Sequence, residues 1–268
     1  MSRSIIRLIV PDSHGEHIDL DARAAIIRDT RMLRPDEIIF LGDHLDCGGT
    51  FSAHQRTYTN EMTEAYEDDC AAANSLLDAL EAAAPNAEKD LIEGNHEQHV
   101  ERWAARNFER RRDAEALLEV WGPAKRLRLK ERGIRYYRRS EHYQGISIPG
   151  TIKRGKCFFT HGISVGRHAT AVHLDRFGAC VVHGHTHRAA EARGRTVTNN
   201  ALGAWCPGTL AKLQPLYQHT SPSEWSLGYG VQFVAKSGAF IHWNVPIIKG
   251  AGSLLAQTID CIARRRAA

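Results

Sequence analysis

Five short blocks of this 268-residue chain are dense in side chains that bind divalent cations: Asp12-Ser13-His14, Gly42-Asp43-His44-Leu45-Asp46, Gly94-Asn95-His96-Glu97, His161-Gly162 and Gly184-His185-Thr186-His187. Imidazole and carboxylate donors suit Mn, Fe, Zn, Ni and Co, and three or four of them per ion leave a position open to water, as catalysis requires. The set is large enough for two ions. Asp43 follows a glycine that lets the backbone turn off the end of an apolar run, and its two carboxylate oxygens could bridge two cations. A single Gly-Asp in that place is also an ordinary turn. The recurrence of such blocks gives the metal reading its weight.

Most of the blocks sit just after a strand-like apolar run. Residues 5–10, broken only by Arg7 and ended by Pro11, deliver Asp12 and His14; residues 38–41 deliver Asp43, residues 90–93 Asn95, residues 157–160 His161, and residues 179–183 His185 and His187. Ligands collect at the carboxyl ends of strands in open α/β sheets. His185 and His187, two apart, are expected on one side of an extended segment. His183 shares that parity and is read as structural, and His17 as a loop residue. Helical spacing marks 19–32, with its start at Asp19, 61–83, with Met62, Tyr66, Cys70, Ala73, Leu77 and Leu80 on one face, and 169–177. Strand and helix therefore alternate as βα units of a layered sheet. Residues 195–199, 231–235 and 239–245 read as strands that finish a second sheet, and the tail ending Arg264-Arg265-Arg266 as a short helix.

Taken in order, Asp-x-His, Gly-Asp-x-x-Asp, Gly-Asn-His-Glu, His-Gly and Gly-His-x-His resemble the calcineurin-like metallophosphoesterase superfamily, over about two-thirds of the chain, from Asp12 to His187. The resemblance implies a four-layer α/β/β/α sandwich of two mixed sheets with a dinuclear metal site at the strand C-terminal ends. It implies one ion on Asp12, His14, Asp43 and His187 and another on Asp43, Asn95, His161 and His185, with Asp43 between them. Two divalent ions are expected, manganese first, with Fe, Zn, Ni or Co as alternatives, and a hydroxide shared by them as the nucleophile. His96 is then a catalytic group that serves the leaving oxygen, and Asp46 orients a ligand histidine from behind. The chemistry agrees: the neutral amide oxygen of Asn95 adds a ligand without charge, and an imidazole can protonate a leaving group near neutral pH. Ser/Thr protein phosphatases carry arginines where this chain has Cys47 and Glu93. Small stand-alone bacterial and bacteriophage phosphoesterases are the nearer branch, acting on phosphomonoesters or phosphodiesters. A protein phosphatase and a non-catalytic binding scaffold are the alternatives, and scaffolds lose ligands that are all present here.

Apolar content of 43% and charged content of 25% fit a single soluble α/β domain over 1–268. No stretch has the eighteen or so apolar residues of a membrane span, and the first ten residues lack a signal core, so a cytoplasmic protein is expected. The six cysteines include no Cys-x-x-Cys pair. They read as reduced core residues rather than zinc ligands. The net charge of +4 is uneven: residues 102–139 hold thirteen Lys or Arg against five Asp or Glu, a local +8. With Trp103, Phe108, Leu117, Leu118, Val120 and Trp121 interleaved, 98–139 reads as a basic helical insertion over the cleft. A nucleic acid or nucleotide is its candidate partner, and a solvated helix face the ordinary alternative. Arg167, His168 and Arg188 are further candidates to contact a substrate phosphate.

Overall fold

In a computed structural model, which describes residues 4–47, 51, 66–197, 201–214, 223–249, 252–253 and 255–258, the apolar runs form two sheets. The larger takes β1 (Ile5–Val10), β2 (Glu37–Phe40), β3 (Glu88–Ile92) and β4 (Ile134–Tyr137) as parallel neighbours. On the free side of β1 it adds antiparallel β10 (Gly228–Val234), β11 (Phe240–Ile248) and β12 (Gly252–Ser253), for seven strands. The smaller runs β5 (Thr151–Arg154), β6 (Cys157–Thr160), β7 (Cys180–His183), β9 (Ala201–Cys206) and β8 (Ala190–Arg195), with β6, β7 and β9 parallel and its two edges antiparallel.

Period-two alternation decides the layering, because successive side chains leave opposite faces of a strand. Leu8, Val10, Ile38, Phe40 and Leu91 point to one face, against Ile26 of α1 (Leu20–Leu33) and Leu76, Leu77 and Leu80 of α2 (Tyr66–Ala83). Their neighbours Ile9, Ile39, Leu41 and Ile92 point the other way and meet Phe159, Val182 and Trp205 of the small sheet. Phe158 and Val181, of opposite parity, pack with Leu174 and Phe177 of α6 (Ala169–Phe177) on the far side. The result is a four-layer α/β/β/α sandwich of two mixed sheets. Each fully buried Ile, Leu, Val or Phe contributes roughly 1.5–3 kcal/mol, so both faces of the strands drive the stack. Asp19 caps α1 by accepting from the backbone of Asp21 and Ala22 at 3.0 Å each. The two sheets are also clasped at one edge: Asp90 of β3, 3% exposed, accepts from Arg135 Nε at 2.6 Å and from Arg154 Nε of β5 at 2.8 Å.

The basic segment differs from a continuous helical insertion. It holds α3 (Gln98–Asn107), α4 (Arg111–Trp121) and α5 (Pro123–Arg126), and then leaves helix. Residues 134–137 form β4 because Ile134 is buried and the backbone pairs with β3, from Lys89↔Ile134 to Ile92↔Tyr137. β8 likewise spans 190–195 instead of starting at Arg195. Residues 61–65, 198–200 and the arginine-rich tail lie outside the described residues. The five described cysteines are free thiols, and no helix among the described residues is long and apolar enough to cross a membrane.

Candidate metal centre

The loops that leave the carboxyl ends of β1, β2, β3, β6 and β7 meet, and they bring the expected ligands into two adjoining groups. His161 shows why these groups call for cations. Its Nδ1–H donates to the carbonyl of Leu41 at 2.9 Å, which leaves Nε2 as the second ring nitrogen. Around Nε2 stand Asn95 Oδ1 at 2.9 Å, His185 Nδ1 at 3.1 Å and Asp43 Oδ2 at 3.2 Å. Even a protonated ring could serve only one of the three, so lone pairs converge on a common point. A divalent cation satisfies such a set.

The other group is built alike. His14 Nδ1 is 2.9 Å from Asp46 Oδ1, and its Nε2 faces His187 Nε2 at 3.1 Å and Asp43 Oδ2 at 3.9 Å. His187 Nε2 lies 3.3 Å from Asp12 Oδ1, and one donor atom from each of Asp12, His14, Asp43 and His187 falls within 4.8 Å of the rest. The same oxygen of Asp43 therefore faces both groups. Asp12 Oδ2 and His187 Nδ1 are buried without a hydrogen-bond partner among the described residues. All of this fits two ions, with Asp43 shared. Asp46 accepts from His14 and lies 3.2 Å from His96 Nδ1.

The electrostatics point the same way. Burial disfavours the charge of Asp43, yet His161, His96 and His14 hold its carboxyl well below the usual range. Burial also works against a protonated His96, but Asp43 and Asp46 outweigh it and raise the imidazole to about 10. A centre that drags a histidine this far is short of positive charge. His96 is fixed by its own N–H to Asp43 Oδ1 at 2.9 Å and by Nδ1–H to the Asp46 carbonyl at 2.8 Å, so its exchangeable proton is the one on Nε2.

Two carboxylates set this geometry in a role that a search for ligands does not reveal. Glu97 accepts four backbone N–H groups: Asp43 at 3.0 Å and Gly94 at 2.8 Å on Oε2, His44 at 2.6 Å and Leu45 at 2.9 Å on Oε1. It staples the Gly42–Asp46 turn to the loop that carries Asn95. Asp69 of α2 accepts from the backbone of Asp46 and Cys47, at 3.1 and 2.9 Å. Its signal was an acid on the apolar face of that helix, one residue before Cys70. Gly94 is obligatory for contact: a Cβ there would lie 2.1 Å from Asp43 Oδ1. His14, Asp43, His185 and His187 all adopt left-handed backbone, with φ of 50°, 47°, 71° and 56°. Strain of this kind gathers at functional sites. His185 and His187 thus diverge from a strained loop rather than sharing the face of a strand, which is why each enters a different group. His183 is structural: it stacks on His173 at 3.8 Å and bonds Thr170 at 2.9 Å.

Arg167 and Arg188, two of the remaining candidates, line a cleft with Thr186, the residue between His185 and His187. Arg188 spends its guanidinium on Glu224 at 3.1 Å and on the carbonyls of Val165 and Gly166 at 2.8 and 3.0 Å, so it braces two loops. Arg167 lines the same cleft as Arg188 and Glu224, and His168 precedes α6 on the exposed surface. Of the basic segment, Arg132 pairs with Asp78 and Glu81, Arg135 with Glu88 and Asp90, and Arg138 with Glu101 and Glu141. Arg102, Arg106, Arg110, Arg111 and Arg112 stand exposed on or beside α3 and α4, where Arg102 donates to Gln98 at 3.0 Å and Arg111 and Arg112 pair with Glu115 and Asp113 at 2.7 and 3.4 Å.

No protein-family model and no curated protein matches this chain. Solved structures similar to it include a single mutant of Vps29 from Entamoeba histolytica, 12% identical over 92% of this chain and 95% of that one, with a TM-score of 0.43. YfcE, a phosphoesterase from E. coli, is 17% identical over 90% of this chain and 99% of its own, with a TM-score of 0.38. Vps29 from Cryptosporidium parvum is 10% identical over 93% and 94%, with a TM-score of 0.44. The four-layer sandwich of two mixed sheets is the fold that the resemblance of the ordered motifs implies.

Proposed function

We propose that this protein is a metal-dependent phosphoesterase that hydrolyses phosphomonoesters or phosphodiesters. The observation that carries the reading is the single Asp43 oxygen facing two groups of lone pairs, 3.2 Å from His161 and 3.9 Å from His14. Asp12, His14, Asp43 and His187 would hold one divalent ion and Asp43, Asn95, His161 and His185 the other, with manganese the first candidate. Two such ions supply a water of lowered pKa and a clamp on phosphoryl oxygens. The chain's own residues do the rest. Leu41 and Asp46 fix the tautomers of His161 and His14, so that Nε2 of each presents its lone pair to the site. His96, held through Nδ1, turns Nε2 toward the leaving oxygen and delivers the proton there. Retention of every ligand and of His96 favours an enzyme over a binding scaffold. A protein phosphatase is disfavoured at the positions of its arginines: Cys47 is buried and Glu93 is occupied by Tyr136 and the backbone of Arg139.

The test is manganese-dependent release of nitrophenol from mono- and bis-nitrophenyl phosphate. Absence of turnover on both, with two ions bound, would overturn the proposal. Nucleotides or nucleic acids are the proposed natural substrates, supported by the five exposed arginines on and beside α3 and α4. Reversing the charge of Arg110, Arg111 and Arg112 should weaken nucleic-acid binding and flatten its salt dependence. Unchanged binding dismisses that substrate class.

A further inference from the structure

One guanidinium beside the centre is built in and left unfinished. Glu93 ends the run that leads into Gly94-Asn95-His96, and its buried carboxylate accepts from Tyr136 Oη at 2.7 Å and from the backbone N–H of Arg139 at 2.8 Å. An acid of β3's loop thus pins the chain just past β4. From there the side chain of Arg139 reaches across to the small sheet, where Nη2 donates at 2.9 Å to the carbonyl of Gly162, the residue after His161. Nη1 is buried and has no hydrogen-bond partner among the described residues. Burial lowers the pKa of this guanidinium, and the charge of Asp43 is the first influence opposing it, so the group lies within the field of the centre. Arginine remains charged in such a setting.

A brace for the Gly162 loop would explain Nη2 but not Nη1. A buried donor left unmade is costly, the more so when it belongs to a charged group. Native structures rarely leave such a donor without a reason. An oxyanion bound beside Asn95 and His161 would meet both the charge and the idle N–H.

We propose that Arg139 is the phosphate-binding arginine of this site, its Nη1–H donating to a non-bridging oxygen of the substrate, with Glu93 as the residue that positions it. The assignment rests on the phosphoesterase reading and adds to it the group that selects a phosphoryl oxyanion. It also gives a role to Glu93, a carboxylate that could not itself approach a phosphate.

The experiment uses the full chain loaded with manganese and titrates inorganic phosphate calorimetrically into the wild type, Arg139→Met and Arg139→Lys, with bound metal and circular dichroism measured on each. Loss of one charge-assisted hydrogen bond should weaken phosphate binding about tenfold to a hundredfold in Arg139→Met, with both ions retained. The KM for nitrophenyl phosphate should rise with it. Arg139→Lys keeps a cation that can reach Gly162, so it should fold even if the methionine variant does not. A compact ammonium cannot hold that carbonyl and fork an oxygen together, so phosphate should bind it more weakly than the wild type. Wild-type phosphate affinity in either folded variant overturns the proposal, as does a wild type that binds two ions but no phosphate. A wild type that binds phosphate yet hydrolyses no ester sinks the phosphoesterase reading alone. A working hydrolase whose phosphate affinity ignores residue 139 sinks only the assignment of Arg139.

Discussion

Replacing His96 by asparagine separates proton donation from every other duty of the centre. Asparagine keeps the backbone N–H that donates to Asp43 Oδ1 at 2.9 Å, and its side-chain amide can replace the Nδ1–H bond to the Asp46 carbonyl, made at 2.8 Å. What disappears is Nε2, on a ring whose side chain is 24% exposed and so can meet a substrate. A positioned acid contributes about 10²- to 10⁴-fold. At about 1.36 kcal/mol per decade that is roughly 3–5 kcal/mol of barrier. The loss must depend on the leaving group. An alkyl phosphate expels a strongly basic alkoxide and should suffer the full loss, whereas nitrophenolate needs little protonation and should lose less than about tenfold. The assay is kcat on both substrates for the wild type and His96→Asn, with bound manganese measured on the same samples. Equal losses on the two substrates would refute the acid role. Loss of an ion would show instead that His96 is a ligand, since His14, Asp46 and His96 also have donor atoms within 4.8 Å of one another.

Three further outcomes follow from the packing and the charges. Gly94→Ala puts a Cβ 2.1 Å from Asp43 Oδ1, so it should lower metal affinity and activity by about 10- to 100-fold while the far-ultraviolet spectrum stays native; a fully loaded, active variant would contradict the close approach. Asp90→Ala leaves Arg154 and the half-exposed Arg135 without their shared carboxylate, and should cost about 2–4 kcal/mol in urea unfolding, a value that Arg154→Ala in the same background should partly restore. His242 is held down to about 4 by burial among Trp205, Gln232 and Asn244, so the unfolded chain takes up its proton first as pH falls. Its contribution is intact above about pH 6.5 and lost towards 4, on the order of 2 kcal/mol by pH 5, so His242→Gln should flatten the fall in melting temperature between pH 7 and 5; an unchanged slope would rule this out.

What could be read from the sequence alone was whatever depends on neighbours along the chain. The strand runs and their glycine-led blocks were legible because an apolar stretch of four to six residues followed by a sharp turn has few local solutions. The cap at Asp19, the layered alternation of strand and helix and the ligand types came from the same local logic. The residues of the candidate metal centre were named through the resemblance that the ordered blocks carry, each block bringing its own donor and its own turn. β4 could not be seen, because Ile134-Arg135-Tyr136-Tyr137 is a strand only through its pairing with β3. The role of Glu97, named only as part of its motif, and Asp69 altogether were equally hidden, since a carboxylate that accepts backbone N–H groups from another loop leaves no periodic trace.

Charge shows the division best. The sequence determined that residues 102–139 carry an excess of eight positive charges and that Arg139 is among them. Only the tertiary structure decided that Arg132, Arg135 and Arg138 are met by carboxylates, several from α2 and β3, that Arg111 and Arg112 meet only Glu115 and Asp113 of their own exposed helix, and that Arg139 turns inward beside His161 with one N–H left over. The reason is physical: a side chain's identity is covalent and local, whereas the worth of its charge depends on burial and on the distance to partners that folding brings from far along the chain.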